Sequence, residues 1–453
     1  MDFSNKVKSV LTKLINLVNT PIFINILTVG GITFFVKLLG FYKETLVVST
    51  FGLSSFLDAF LLAVLIPTFI QTVFIGALRN IFIPNYITEL KTTNKKSEFQ
   101  SMGFIMVLGI VSILTIFAII FSLYFLEMTF PGRDDTFYEL IRKQLYVVLP
   151  CILFWGLSSI LGGLLEVANK YFFSTISASF MAVSTIICLL FFSDVFGELV
   201  LALGLLIGSF CSFLYLLIVN LHFGLLSIHK PQKNDNVKAM MKQLPPKISS
   251  GLLTGLNTYV DQFFAAQLAI GSIAAVNYGI KIPSFLVSIL MIAIGNVLLP
   301  HFARIINDNL QLAYKQLFKI LKIVFFLGLG VGAIGFLFSE EIIFYLFERK
   351  EFTSEDTVVV AKVQQIILIY LPFYLCTLVM VKFLTSYNKN VFMAWASFFN
   401  LILNFVLNMI LIKKFGLYGL VMSTTFVYVL NSFIYFTYTY KTYRKNVVNS
   451  IDV

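Results

Sequence analysis

Charged residues are scarce in this sequence, at 12% of 453 residues, while 58% are hydrophobic. Soluble proteins carry about 25% charged residues, because their surfaces must face water. The scarcity excludes a water-soluble enzyme, and the 50 Phe and 20 Tyr residues suit a chain that faces lipid and its interfaces. The apolar excess is evenly spread, which predicts a polytopic membrane protein rather than one anchored domain.

Cysteine and histidine are also rare. The four cysteines are scattered without a CxxC pair, and the three histidines argue against a His-rich metal site. The GxxxxGK[ST] pattern of ATP-driven pumps is absent, and no run resembles a channel filter. The net charge of +11 is better explained by basic cytoplasmic loops than by nucleic acid. We therefore expect no metal, no enzymatic cofactor and no nucleic-acid partner.

Twelve apolar runs are long enough to cross a bilayer, which needs about 20 residues. They lie at 22–49, 56–83, 101–126, 144–166, 171–193, 198–226, 248–270, 273–300, 317–338, 361–386, 390–412 and 417–440. The connections alternate between basic and acidic, except that Lys413 and Lys414 fall on the acidic side, and basic loops are typical of the cytoplasmic side. The sequence thus predicts an all-α integral membrane protein with about twelve transmembrane helices, both termini cytoplasmic, and an amphipathic lead-in over the first 20 residues.

An internal repeat divides the chain. IPTFIQTVFIGALRNIFIPNY (66–86) aligns without gaps with IPSFLVSILMIAIGNVLLPHF (282–302) at an offset of 216. At an offset of 219, Asn169-Lys170 aligns with Asn388-Lys389, and Phe196-Gly197 with Phe415-Gly416. Six predicted spans separate each match, so the halves have the same topology.

The repeat predicts two pseudo-twofold related six-helix lobes around a central cavity, as in transporters that work by alternating access. The predicted domains are an N-terminal lobe (1–228), a cytoplasmic linker (229–247) and a C-terminal lobe with a short basic tail (248–453).

Ionisable groups inside a span are functional candidates, because burying charge in hydrocarbon is costly. Lys37 lies in the middle of the first span, and Lys281 lies about two turns into the eighth. We expect both to bind an anion in the cavity. The candidate hinge or helix-break positions are Gly40, Pro67 and Pro283.

Glu44, Asp58 and Asp261 are candidate counter-ions or coupling groups. The alternative is that the charges form structural pairs, for instance Lys37 with Asp58 or Lys281 with Asp261. Asp58 also fits an N-cap of its own span. A basic cavity favours anionic head groups over cationic drugs, and a lipid tail left in the bilayer would make the transporter a flippase.

Two long segments resemble the bacterial lipid II flippase family, MurJ: FVKLLGFYKETLVVSTFGLSSFLDAFLLAVLIP (35–67) and VDQFFAAQLAIGSIAAVNYGIKIPSFLVSILMIAIGNVLLPHFAR (260–304). FERKEFTSEDT (347–357) resembles the same family. NLILNFVLNMILIKKFGLYG (400–419) resembles the wider multidrug/oligosaccharidyl-lipid/polysaccharide (MOP) exporter superfamily, which includes the polysaccharide-unit flippases.

The resemblance implies a flippase of the bacterial inner membrane that moves an undecaprenyl-diphosphate-linked saccharide to the outer leaflet by alternating access. The family's cavity arginines fall on Lys37, Lys43 and Lys281, which implies that these lysines bind the diphosphate. Its acidic residues fall on Glu44 and Asp58. The implied partners are the lipid-linked saccharide, membrane lipids and cell-wall or polysaccharide assembly proteins, with an unassigned ion or the membrane potential as the driving force.

Several alternatives stay open. The cargo is either lipid II or a polysaccharide unit, since the family has two further C-terminal spans beyond the twelve predicted here. A multidrug–cation antiporter of the same superfamily would need an acidic cavity. A non-transporting scaffold in envelope assembly would tolerate loss of the buried lysines.

Overall fold

Long apolar runs form helices in lipid because only internal hydrogen bonds satisfy their backbone groups there. The computed structural model describes residues 21–129, 133–232 and 234–448, and these form helices with short connections. The predicted lead-in before residue 21 lies outside the described residues. The main helices are α1 Pro21–Phe51, α2 Ser55–Ile70, α3 Gly76–Lys91, α4 Lys96–Thr129, α5 Asp135–Val167, α6 Tyr171–Ile176, α7 Ser179–Phe191, α8 Ser193–Phe196, α9 Val200–His222, α10 Asp235–Ala266, α11 Ser272–Asp308, α12 Leu310–Leu337, α13 Ser339–Phe347, α14 Ser354–Ser386 and α15 Asn390–Tyr443.

These helices make the chain a multi-pass membrane protein. Within the described residues, nine helical stretches are long and apolar enough to span a membrane. The longest, Asn390–Val447, holds two of the predicted spans, because the backbone at Gly416 leaves the helical conformation. The all-α membrane fold is therefore confirmed, while the count of twelve and the cytoplasmic location of both termini stay predictions.

One compact unit comprises residues 21–43, 74–116 and 147–244 of the described chain. Helices α7 and α9 of this unit pack closely at glycine positions. A Cβ on Gly208 of α9 would lie 2.6 Å from the Cα of Met181 in α7. A Cβ on Gly204 would lie 2.9 Å from the Cα of Thr185. Small residues permit such close crossings in membranes, where apolar side chains gain little by leaving lipid.

Polar side chains in the same unit hold the segment that follows α9. Glu89, at the end of α3, is fully buried and accepts hydrogen bonds from Asn234 at 2.8 Å and Asn236 at 2.7 Å. Gln100 of α4 is also fully buried; it donates to the Leu225 carbonyl and accepts from the Ser227 N–H. The segment that follows α9 is thus hydrogen-bonded to α3 and α4. Residues 235–247, which the sequence assigned to the linker, belong to α10. The predicted lobe and linker boundaries stay a prediction.

The other compact unit comprises residues 44–73, 117–146 and 245–448. Its core contains the fully buried rings of Phe302, Tyr314 and Phe383, whose centroids lie 5.2 Å (Phe302–Phe383) and 4.9 Å (Tyr314–Phe383) apart. Helices α12 and α14 cross at Gly328, where a Cβ would lie 2.9 Å from the Cα of Pro372. Aromatic packing and small-residue crossings therefore hold this unit together.

The internal repeat predicted at an offset of 219 is confirmed in the backbone. Asn169 and Asn388 both adopt positive φ, at 59° and 56°. Gly197 and Gly416 share φ/ψ values of 49°/−126° and 54°/−129°. Both glycines lie in a region of φ/ψ space that is essentially restricted to glycine, so the match is conformational as well as chemical.

Candidate functional site

Two residues selected from the sequence, Glu44 and Lys281, form an ion pair. The Lys281 Nζ lies 3.4 Å from the Glu44 Oε2, and the two side chains are 30% and 21% exposed. The Tyr278 hydroxyl donates to the same oxygen at 3.2 Å, and the Lys281 Nζ lies 5.9 Å from the centroid of the Tyr278 ring. Removed from much of the surrounding water, this pair interacts more strongly than an exposed one.

Local helix geometry explains why Tyr278 and Lys281 act on one carboxylate. They are three residues apart on α11, and such residues lie on the same face of a helix. Glu44 comes from α1, far away in sequence. The sequence alternative that paired Lys281 with Asp261 is wrong, since the acid that Lys281 meets is Glu44.

The three positions predicted as hinges or helix breaks differ in their local backbone structure. Helix α1 runs without interruption through Gly40, and α11 through Pro283, so the structure has no break at either position. Pro67 lies inside α2, and a π-helical turn at Gln71–Ile75 follows that helix. A hinge role for the three residues stays a prediction.

The two other predicted cationic ligands lie on α1. Lys37 is half-buried, and its ammonium group has no ion pair or hydrogen bond within the described part of the chain. Lys43 is also half-buried and immediately precedes Glu44. Their assignment to diphosphate binding stays a prediction.

Asp58 is a capping residue, but not of its own helix. The N-cap of α2 is Ser54, whose side chain accepts from the Leu57 N–H at 3.3 Å. Asp58 is 1% exposed and accepts from the backbone N–H groups of Gly271 at 2.7 Å and Ala274 at 2.9 Å, at the start of α11. The expectation that Asp58 caps α2 is therefore wrong: its carboxylate stabilises the positive end of the α11 dipole.

The turn between α10 and α11 is also stabilised by hydrogen bonds at the C-terminal end of α10. Arg133 donates through Nη2 to the carbonyls of Ala266, at 3.3 Å, and Leu268, at 2.5 Å, where α10 ends. A cation at a helix C-terminus and an anion at a helix N-terminus both complement the helix dipole. Gly271 completes the turn at a φ of 85°, where a Cβ would lie 2.6 Å from the Leu53 carbonyl oxygen.

Asp261 lies in a second polar cluster, built from α10 and α15. Its Oδ1 accepts from the side-chain amides of Asn404 at 2.8 Å and Asn408 at 3.2 Å, and its Oδ2 accepts from the Thr424 hydroxyl at 3.3 Å. The buried Asn408 Oδ1 has no hydrogen-bond partner among the described residues. An orphaned oxygen beside a carboxylate and a hydroxyl is a set of hard ligands for a small cation.

A further ion pair lies outside the residues that the sequence analysis selected for the site. Arg79 of α3 pairs with Glu166 of α5, and the Ser174 hydroxyl donates to the same Glu166 oxygen at 3.1 Å. Each charge lies near the end of a predicted span (56–83 and 144–166), and charged residues at such places are typical of the membrane interface. In the sequence, the only sign of this pair is that Arg79 and Glu166 have opposite charges and lie at the corresponding ends of two predicted spans.

The chain is similar to known proteins over most of its length. The family model for lipid II flippase MurJ matches residues 47–452. The probable lipid II flippase MurJ of Buchnera aphidicola subsp. Schizaphis graminum is 27% identical over 442 residues, covering 94% of this chain and 84% of that protein. The probable lipid II flippase MurJ of Rickettsia prowazekii is 23% identical over 438 residues, covering 93% of this chain and 84% of that protein.

Solved structures are similar to the whole fold. A lipid II flippase MurJ in an inward closed conformation aligns with a TM-score of 0.77 at 24% identity, covering 90% of this chain and 86% of the other. An inward-facing multidrug resistance transporter of the MATE family aligns with a TM-score of 0.73 at 13% identity, covering 91% and 99%. These likenesses show the fold, and the sequence match over residues 47–452 shows the family. The chain belongs to the lipid II flippase family MurJ.

Proposed function

We propose that this protein moves lipid II from the inner to the outer leaflet of the bacterial inner membrane, so that its cargo is lipid II rather than a polysaccharide unit. The observation that carries the proposal is the match to the lipid II flippase family over residues 47–452. The substrate is a lipid-linked saccharide, and cell-wall assembly proteins are the expected partners. The chain acts as a transporter without chemistry on its cargo.

Lys281 is the proposed contact for the diphosphate. Its ammonium group is already placed by Glu44 and Tyr278, and the pair with Glu44 is only partly shielded from solvent. A diphosphate carries more charge than one carboxylate, so it competes with Glu44 for the lysine. Glu44 therefore takes the place of the ligand when no lipid is bound. Lys281 is then paired with an acidic group both before the lipid binds and after it dissociates. Lys37 and Lys43 are proposed as further diphosphate ligands.

The experiment measures the flipping of labelled lipid II in proteoliposomes, read by a membrane-impermeant probe. Lys281→Ala should reduce flipping at least tenfold, because it removes a charge-assisted contact with a phosphate. Lys281→Arg should remain active, since it keeps the charge. Glu44→Gln should bind the lipid more tightly, because the competing carboxylate is neutralised.

Lys143→Ala is the matched control, because Lys143 forms an exposed ion pair with Glu139 at 3.0 Å. This variant should flip lipid II at the wild-type rate. Full activity of Lys281→Ala would contradict the assignment of Lys281. Transport of a cationic dye by wild-type protein that does not flip lipid II would contradict the function itself.

We further propose that the Asp261 cluster binds the coupling cation. One carboxylate with amide and hydroxyl oxygens suits a proton or a monovalent ion better than a multivalent metal, and no group of three or more acidic, His or Cys side chains that could hold a metal occurs among the described residues. Rotation of the Asn404 and Asn408 side-chain amides would turn an oxygen of each toward a bound cation.

Flipping in the presence of an imposed sodium gradient, a proton gradient or neither tests this proposal. One of the gradients should accelerate wild-type flipping, and Asp261→Asn should lose that acceleration because the neutral side chain no longer binds the cation. Asp194→Asn, an exposed position, is the control. An Asp261→Asn variant that still responds to the gradient would exclude this site as the coupling site.

A further inference from the structure

Three lysines form a basic stripe at the start of α12. Lys315, Lys319 and Lys322 are exposed and follow one another at spacings of four and three residues, which places them on one face of the helix. Like charges at these spacings destabilise a helix. No acidic partner of these lysines is found in the described part of the chain. The stripe is therefore suited to an anion that comes from outside the chain.

The stripe borders a groove rather than open surface. The groove has a volume of about 370 Å³ and is lined by the three lysines together with Gln311, Phe318 and Tyr443. The rings of Phe318 and Tyr443 form its aromatic wall, with centroids 5.4 Å apart, and Tyr314 supports Tyr443 at 5.2 Å. The general excess of lysine on the cytoplasmic side of membrane proteins would account for the positive charge alone. It would not account for a groove with an aromatic wall beside the three lysines.

The same helix face continues into an apolar surface. Phe326 is 67% exposed and Leu329 is 47% exposed, and they follow Lys322 at spacings of four and seven residues. At Gly330 a Cβ would meet no atom within 4 Å, so the surface there is open. A ligand that uses the whole face needs an anionic head of modest size and long apolar chains running along the helix.

We propose that this groove binds one anionic phospholipid of the surrounding membrane. Its phosphate lies among Lys315, Lys319 and Lys322, and its acyl chains lie along Phe326 and Leu329. A free phosphate would use only the lysines and would leave the apolar continuation of the face unexplained. The site is independent of the transported lipid, since it shares no residue with the Glu44–Lys281 pair or the Asp261 cluster.

The experiment is a titration of the purified full-length protein in detergent with phosphatidylglycerol, followed by native mass spectrometry. Each lysine near a membrane surface contributes about fivefold to anionic lipid binding. The triple variant Lys315→Gln, Lys319→Gln, Lys322→Gln should therefore bind phosphatidylglycerol about 100-fold more weakly than wild type. The corresponding triple arginine variant should keep most of the affinity, and phosphatidylcholine should bind weakly to every variant.

The matched control is Lys91→Gln, Lys96→Gln, Lys230→Gln, which removes the same charge from exposed positions elsewhere in the chain. It should bind phosphatidylglycerol like wild type. Equal weakening in the two glutamine variants would overturn the proposal, because it would reduce the effect to net charge. Glycerol phosphate competing as well as phosphatidylglycerol would also overturn it. Thermal unfolding without lipid, expected to be unchanged in both variants, separates loss of binding from loss of fold.

Discussion

Removing the carboxylate of Asp58 should destabilise the protein strongly. Asp58 is 1% exposed and accepts two backbone hydrogen bonds, from Gly271 at 2.7 Å and Ala274 at 2.9 Å. A hydrogen bond to a charged group contributes about 1.5–3 kcal/mol, and a buried donor left without a partner costs about 1–3 kcal/mol. These two figures overlap, because the unpaired donor is part of the lost bond. We therefore expect Asp58→Ala to lower the free energy of unfolding by about 3–5 kcal/mol.

The assay is thermal unfolding of the purified protein in detergent. Asp58→Asn keeps only one of the two acceptor oxygens at the start of α11, so this variant should lose about 1.5–3 kcal/mol, the contribution of one of the two hydrogen bonds. Asp194→Ala, which removes an exposed aspartate, should unfold at the wild-type temperature.

Two results would refute the reasoning. Asp58→Ala unfolding at the same temperature as Asp194→Ala would mean that the two hydrogen bonds contribute nothing. Asp58→Asn unfolding as early as Asp58→Ala would mean that the charge matters and the acceptor geometry does not. Lipid II flipping by Asp58→Asn should remain near wild type, because the carboxylate supports a turn rather than a ligand.

Four further substitutions test other parts of the fold. Glu89→Ala should release the segment at 224–234, because the fully buried carboxylate accepts from Asn234 and Asn236, and limited proteolysis there should accelerate relative to wild type. Gln144→Leu should raise the unfolding temperature, since neither polar atom of this buried amide has a partner among the described residues; an unchanged or lower temperature would contradict this. Gly416→Ala should cost about 1–3 kcal/mol at its glycine-only φ/ψ, whereas Gly330→Ala, inside α12 with open space around its Cα, should be neutral or stabilising in the same unfolding assay.

The helices were predictable because lipid imposes a simple rule on the sequence. A run of about 20 apolar residues must be helical in a bilayer, and the residues of each of the twelve predicted runs are largely or wholly helical, although the runs at 56–83 and 171–193 extend over more than one helix. The repeat was predictable for a similar reason, since Phe-Gly and Asn-Lys mark turns whose backbone only a few residue types adopt. Short-range rules of this kind can be applied to one sequence without knowing which helices are neighbours.

The partners of the charged residues were not predictable in this way. Lys281 meets Glu44 rather than Asp261, and Asp58 caps α11 rather than α2. These contacts join residues more than 200 positions apart, and the 3.6-residue periodicity of a helix does not relate residues on different helices. The sequence indicated which charges are worth attention, because charge in a span is costly, but only the packing of α1 and α2 against α11 determines how they pair.

The matched glycines at 197 and 416 preserve the internal repeat in the backbone rather than in the side chains. Few residues around them are identical in the two segments, yet both segments turn with nearly the same pair of dihedral angles. A side chain can be replaced by any of several others that fill the same space, whereas these angles admit almost only glycine. Ancestry in strongly diverged membrane proteins should therefore be sought by aligning rare backbone conformations, which selection cannot exchange as freely as it exchanges one apolar residue for another.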